Sequence, residues 1–305
     1  MSGADAASPI AASRVLVTGA AGHIGTTLLA RLAPSGAAPR TTRFDRLVAA
    51  ELAIDTVVHL AAIVTPGRRS SRAFEYSVDV EGTRNLLGAC VSAGVRRIVV
   101  ASSGAAYGHH ADSPPLIDED TPLRGNAEFA YSDHKRRVEE MLAAYRASHP
   151  GLAQLVFRIG PVLGVTVRNQ ITALFGRPVL LGLRGAASPF VFVWDEDVAG
   201  AIAHGLASGR NGVHNLAGDG AVTLDEIAAM LGKPCLRLPA GLMCAALALL
   251  HPLGFSRYGP EQVSFLRYRP VLDNRRLKQE FGFMPRHGSR TAFEHYARAR
   301  GLLRG

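Results

Sequence analysis

The stretch Thr18-Gly-Ala-Ala-Gly-His-Ile-Gly25 constrains this chain more than any other feature. It follows the short β-branched run Arg14-Val-Leu-Val-Thr18 and leads into Ile24 to Ala33, which has helical spacing and stops at Pro34. Glycines at 19, 22 and 25 allow positive φ at the turn and let backbone N–H groups come close to a ligand. The helix that follows adds partial positive charge at its N-terminus. A strand, a glycine turn and a helix in that order predict a cradle for a dinucleotide pyrophosphate. Its residues are Gly19, Gly22, His23, Ile24 and Gly25.

The same alternation continues downstream. Thr56 to Ala62, Arg97 to Ala101 and Ala153 to Ile159 read as buried strands, and Val80 to Ala93 and Ala130 to Ser148 as helices. Phe190 to Val193 and Gly212 to Leu216 read as further strands around a helix opening at Asp195-Glu-Asp197. Strands and helices alternating at this length predict an α/β fold, a doubly wound Rossmann-type parallel sheet with helices on both faces. Residues 165–189 and 217–305 are broken by Pro and Gly and predict a smaller, largely C-terminal substrate lobe. The expected division is a lead-in over 1–13, a dinucleotide-binding domain over 14–164 plus 190–216, and the lobe.

The 305 residues carry 34 basic and 25 acidic side chains, a net charge of +9, with the excess scattered. Arg68, Arg69 and Arg72 form its densest cluster, read as solvated surface rather than a nucleic-acid or substrate-anion site. Cys90, Cys235 and Cys244 have neither disulfide nor zinc spacing, so a reducing cytoplasm is expected and no metal. Residues 1–13 lack the charged and apolar regions of a signal peptide. The longest apolar run, Ala240 to Leu250, is 11 residues, against about 20 for a membrane span. A soluble protein with no membrane partner is expected.

An acid about 20 residues past the glycine loop ordinarily binds the adenosine ribose. Asp45 lies 20 residues past Gly25 and favours NAD, whereas the flanking Arg43 and Arg46 suit the 2′-phosphate of NADP. NAD is the expected cofactor and NADP the alternative.

Tyr131-Ser-Asp-His-Lys135 places a phenol and an ammonium one helical turn apart. An adjacent ammonium stabilises the phenolate, so a lowered tyrosine pKa is expected, as a general acid/base requires. Only three residues of the chain are lysine, at 135, 233 and 278, so Lys beside Tyr131 is a specific choice over Arg. Ser102 and Ser103 end the Arg97 strand at the carboxyl edge of the predicted sheet, where a hydroxyl can hold a reacting substrate oxygen.

With these motifs in place, the chain resembles the extended short-chain dehydrogenase/reductase family, the NAD-dependent epimerase/dehydratase group. The matching segments are T-G-A-A-G-H-I-G (18–25), H-L-A-A (59–62), V-E-G-T-R-N-L-L (80–87), S-S-G-A-A-Y-G (102–108), Y-S-D-H-K (131–135), R-I-G-P-V-L-G (158–164) and W-D-E-D-V-A-G-A-I (194–202). The resemblance implies Ser103 as the catalytic serine, Tyr131 as acid/base, and Lys135 as the residue that lowers its pKa and binds the nicotinamide ribose. It implies that His59, Leu60, Ala61, Ala62 and Ser102 line the cofactor, with the backbone of Gly160 to Val162 facing the nicotinamide. A homodimer acting on a small-molecule substrate is expected.

Departures bear on substrate. Asp79 stands where the family usually has Asn, and Gly160-Pro161 where nucleotide-sugar enzymes place another Asn. Ser188-Pro-Phe-Val191 occupies the stretch in which those enzymes carry an Arg for the substrate diphosphate. Leu236 to Phe255 resembles the apolar segment of members acting on hydrophobic alcohols, although its Leu242 to Leu250 stripe reads first as lobe packing. His109, His110 and Asp112 read as a polar loop, the acids at 195–197 as helix caps, and Cys90 as core. The leading function is an NAD(P)-dependent oxidoreductase at a secondary alcohol or ketone. The alternatives are a nucleotide-sugar epimerase or dehydratase with tightly bound NAD, and a non-catalytic dinucleotide-binding regulator.

Overall fold

Five parallel strands at the centre of the molecule stand in the order β1-β2-β3-β4-β8. The structure is a computed structural model, and residues 14–32, 52–67, 70–253 and 259–303 are described. The sheet strands are β1 (Val15–Thr18), β2 (Thr56–His59), β3 (Arg97–Ser103), β4 (Ala153–Ile159) and β8 (Gly212–Leu216). Thr18 registers with His59, His59 with Val100 and Ser103 with Ile159, so the strands present their carboxyl ends along one edge. Asp45 and its flanking arginines lie outside the described residues, as do Arg68 and Arg69.

Period-two alternation divides the strand side chains between two helix layers. On one face Val58, Val99, Leu155 and Phe157 pack against Leu28 of α1 (His23–Leu32) and Val198 and Ile202 of α6 (Asp195–Ser208). On the other, Val57, Ile98, Val100 and Val156 meet Leu86, Leu87 and Cys90 of α3 (Gly82–Ser92) and Val138 and Leu142 of α4 (Ala130–Ser148). Each such side chain, sealed from water, contributes roughly 1.5–3 kcal/mol. Both faces are covered, which explains why the strands read as continuous apolar runs.

The helix expected over 80–93 begins later and is entered differently. A short α2 (Arg72–Tyr76) runs through a widened π turn, Ser77–Glu81, into α3. That turn carries Asp79 into the interior, where it is 4% exposed. The expected strand over 190–193 is reduced to β7 (Val193–Trp194), paired with β5 (Val162–Leu163). Its backbone partners change residue by residue: Phe190 exchanges hydrogen bonds with Val222, whereas the Phe192 N–H donates to Ser289 Oγ.

Phe175, Phe190, Phe192, Trp194, Ile227 and Phe293 form a separate aromatic core. It unites α5 (Gln170–Phe175), α7 (Leu224–Leu231) and α11 (Ser289–Ala299) beside the sheet. The strands β6 (Leu180–Leu183) and β9 (Cys235–Leu238) add a two-stranded parallel ribbon. In α8 (Ala240–Leu250) the leucine stripe does not pack as expected: only Met243 is buried, and Leu242 and Leu249 are 57% and 65% exposed. Nor does α8 reach the cavity described below. Two further short helices, α9 (Gln262–Arg267) and α10 (Arg275–Gln279), complete the fold. No helix among the described residues is long and apolar enough to cross a membrane.

Candidate active site

A cavity of about 390 Å³ opens along the carboxyl edge of the sheet. It is lined at one end by Gly19, Gly22, His23, Ile24 and Gly25, and in the middle by Ser103, Tyr131 and Lys135. Leu60, Ala62, Ser102, Gly160 and Val162 also line it, so the predicted site residues converge although they come from five separate segments. His59 and Ala61 are the exceptions among the described ones; the Ala61 backbone instead packs behind Gly19.

The glycines of the turn serve different ends. Gly19 takes φ +70°, and a Cβ there would fall 2.7 Å from the Ala61 nitrogen. At Gly25 a Cβ would fall 2.4 Å from the Gly19 carbonyl oxygen, so this glycine lets α1 approach its own loop. Gly22 has a single tight neighbour, the Gly19 oxygen at 3.1 Å. A Gly22 side chain would extend where a diphosphate needs access to backbone N–H groups, and the start of α1 faces the same space. This cradle fits a dinucleotide. His23 adds a brace, its Nε2 lying 2.6 Å from Asp195 Oδ2 at the start of α6.

Next to the cradle, His59 links three elements. Its Nδ1 accepts from the Thr18 hydroxyl at 2.7 Å, and its Nε2–H donates to Thr83 Oγ1 at 3.0 Å, because Thr83 itself donates to the Asp79 carbonyl. Burial, reinforced by the charge of Lys135, pushes the imidazole down to about 3, so it is neutral. Asp79 Oδ1 accepts the Ile63 N–H at 2.8 Å and fixes the chain after β2.

Tyr131 and Ser103 stand in the same cavity wall, near enough for the Ser103 side chain to favour the phenolate. Lys135 donates to the Ala101 carbonyl at 2.9 Å, with Nζ 5.8 Å from the Tyr131 ring centroid. The expected fall in the tyrosine pKa is reversed here. Burial pushes Tyr131 up to about 12; the Ser103 hydrogen bond opposes that rise, and the charge of Asp79 adds to it. Lys135 is turned towards a carbonyl, while burial lowers its own pKa against the pull of Asp79 and Glu139. The phenol is therefore protonated at neutral pH, a proton donor rather than a ready base.

Ser102 differs from Ser103. Its hydroxyl donates to Glu139 Oε1 at 2.5 Å, and Glu139 in turn pairs with Arg158 at 2.8 Å. Arg158 donates to the Tyr107 hydroxyl, which contacts Asn215. Ser102 thus meets the cavity with its hydroxyl committed to a buried network. Arg72, read as solvated, donates to the Ala127 carbonyl at 2.5 Å. Asp195 is the first residue of α6 rather than its cap and accepts the Glu196 N–H, whereas Asp197 holds the backbone of Arg286 and His287. No group of three metal-ligating side chains stands together among the described residues.

The other end of the cavity was hidden from local reading. His109, read as part of a polar loop, is 5% exposed and packs edge-on to Phe265 with ring centroids 5.1 Å apart. Phe129 bridges this pair to Tyr131. Arg269 lies over Phe190, its guanidinium carbon 3.6 Å from the ring centroid. The local sequence Phe265-Leu-Arg-Tyr-Arg269 does not specify partners as far as 160 positions upstream.

Fold and cavity together define a dinucleotide-fold protein with a Ser–Tyr–Lys cluster. The NAD dependent epimerase/dehydratase family model matches residues 15–217, and the chain belongs to that family. An uncharacterized protein of Mycobacterium tuberculosis is 26% identical over 316 residues, covering 94% of this chain and 84% of the relative. A UDP-glucose 4-epimerase of Azospirillum brasilense is 32% identical over 180 residues, half of each chain. Among solved structures, MoeE5 in complex with UDP-glucose and NAD superposes with a TM-score of 0.69 at 25% identity, covering 95% of this chain and 99% of that one.

Proposed function

We propose that the chain is an NAD-dependent oxidoreductase that transfers a hydride at a secondary alcohol or ketone. The dinucleotide domain would comprise 14–164 plus 190–216, and the substrate lobe the remainder of the described chain. The observation that carries this reading is the pairing of Ser103 and Tyr131 in the cavity wall, beside the glycine cradle. Gly19 to Gly25 would hold the dinucleotide, which would supply the hydride as NADH or accept it as NAD+. Ser103 orients the substrate oxygen by hydrogen bonding. Tyr131, held protonated, delivers a proton to that oxygen as a carbonyl is reduced, and recovers it in the reverse direction. Lys135, on the same helix face, would bind the nicotinamide ribose.

A nucleotide-sugar epimerase or dehydratase is a second reading, favoured by the likeness to the UDP-glucose 4-epimerase and to MoeE5. One experiment separates the two. The purified protein is titrated with NAD by calorimetry, then assayed at 340 nm (the NADH absorbance) with secondary alcohols, ketones and UDP-sugars. Net NADH change with a non-nucleotide substrate supports the oxidoreductase. UDP-sugar conversion without net NADH change replaces it with the epimerase, and a protein that neither carries NAD as purified nor binds it on titration removes both.

A further inference from the structure

The substrate end of the cavity holds two polar groups with unused hydrogen-bonding capacity. Arg269 Nε and Nη1 have no exposed surface and no hydrogen-bond acceptor among the described residues. The guanidinium instead lies between the Phe190 and Phe265 rings, at 3.6 and 5.1 Å from their centroids. His109 Nδ1 is 3.2 Å from the Tyr268 carbonyl, a contact that requires Nδ1 to carry the proton. Nε2 is then a bare acceptor, also buried and without a partner. Both residues line the cavity.

Such groups are costly to leave unsatisfied, and a structural role is poorly served by either. An arginine needed only for packing would be matched by Met. Here burial works against the charge, down to about 9, with no carboxylate beside it. Burial and the nearby Arg269 charge likewise keep His109 neutral, at about 4, despite the Tyr268 hydrogen bond. The pair is complementary: two N–H donors carrying positive charge, and one neutral acceptor, set in an aromatic wall that continues through Phe129 to Tyr131. An anionic oxygen meets the first, a hydroxyl the second.

We propose that Arg269 and His109 anchor the substrate, Arg269 taking a carboxylate or phosphate oxygen and His109 Nε2 accepting from a hydroxyl of the same molecule. The substrate class is thus a hydroxylated acid or phosphate ester with its reacting carbon at Tyr131. This rests on the reading of Tyr131 as the acid/base, while the anion site itself does not depend on turnover.

The test uses the full chain with saturating NAD and follows binding of glycolate, acetate, inorganic phosphate and uncharged ethylene glycol by calorimetry or ligand-observed NMR. Glycolate or phosphate should bind saturably and ethylene glycol should not; which anion wins identifies the charged group. Arg269→Met should weaken the preferred anion at least about tenfold, with Arg269→Lys in between. His109→Phe, which keeps the ring packing, should erase the preference for glycolate over acetate. Equal binding of ethylene glycol, or unchanged anion affinity in Arg269→Met, overturns the proposal. NAD affinity should be equal in every variant; its absence in the wild type would defeat the proposed function, and the anion titration would still decide this site.

Discussion

Asp79 Oδ2 lies 3.1 Å from His134 Nδ1, with the two side chains 3% and 1% exposed, immediately behind the helix turn that carries Tyr131 and Lys135. The family's usual Asn would present an amide there. A carboxylate instead exerts an electrostatic pull on both Tyr131 and Lys135, acting to raise the pKa of each. With three lysines in the chain, lysine-selective NMR resolves the effect. Lys135 should titrate below the ordinary 10.5, because burial outweighs the acidic neighbours. Asp79→Asn keeps an oxygen for the Ile63 N–H, removes the charge and should lower the Lys135 titration further. An unchanged titration would show that Asp79 is neutral or screened.

Tyr131→Phe keeps the ring packed against Phe129 and removes the proton donor. Turnover should fall roughly 10²–10⁴-fold with NAD affinity within about twofold of wild type. A variant retaining more than half the wild-type rate would exclude Tyr131 as the acid.

Gly22→Val and Gly25→Ala should fail in different ways. Gly22 has one tight contact, so the valine variant should fold and lose NAD affinity in calorimetry. Gly25→Ala drives a methyl into the Gly19 carbonyl and should cost roughly 1–3 kcal/mol in denaturant unfolding. Equal NAD affinity in a folded Gly22→Val would remove the phosphate cradle.

His59 ties acid stability to the cradle. Its folded value of about 3 lies below the ordinary 6.5, so on acidification the unfolded chain takes up the proton first. This contribution is complete above about pH 6.5 and is lost as pH falls towards 3, on the order of 5 kcal/mol in total. His59→Gln should flatten the melting temperature between pH 7 and pH 4 relative to wild type. Parallel curves would assign the acid sensitivity to other groups.

Glu139 compensates Arg158 inside the sheet–helix interface, where the two side chains are 4% and 9% exposed. Glu139→Ala strands that guanidinium and should cost about 3–5 kcal/mol in urea unfolding. A loss below about 1 kcal/mol would mean that the Tyr107 and Glu119 contacts satisfy Arg158 unaided.

The glycine turn at 18–25 and the Tyr131–Lys135 spacing were legible because each depends on a few consecutive residues. Positive φ, helix onset and an i, i+4 pair are properties of the local backbone. The buried strands were legible for a related reason, since a sheet covered on both faces leaves uninterrupted apolar runs such as Thr56 to Ala62. Tertiary structure alone decided the rest. It joined Asp79 to His134 across 55 positions, sent the Ser102 hydroxyl to Glu139 while leaving Ser103 to Tyr131, and broke the apparent strand at Phe190 by giving each backbone group a different partner. It left Leu242 and Leu249 of α8 in solvent and buried His109 beside Phe265. Burial is set by which distant surfaces meet, and burial in turn sets charge: the tyrosine read as activated by its lysine is held protonated by the desolvation that the folded cavity imposes.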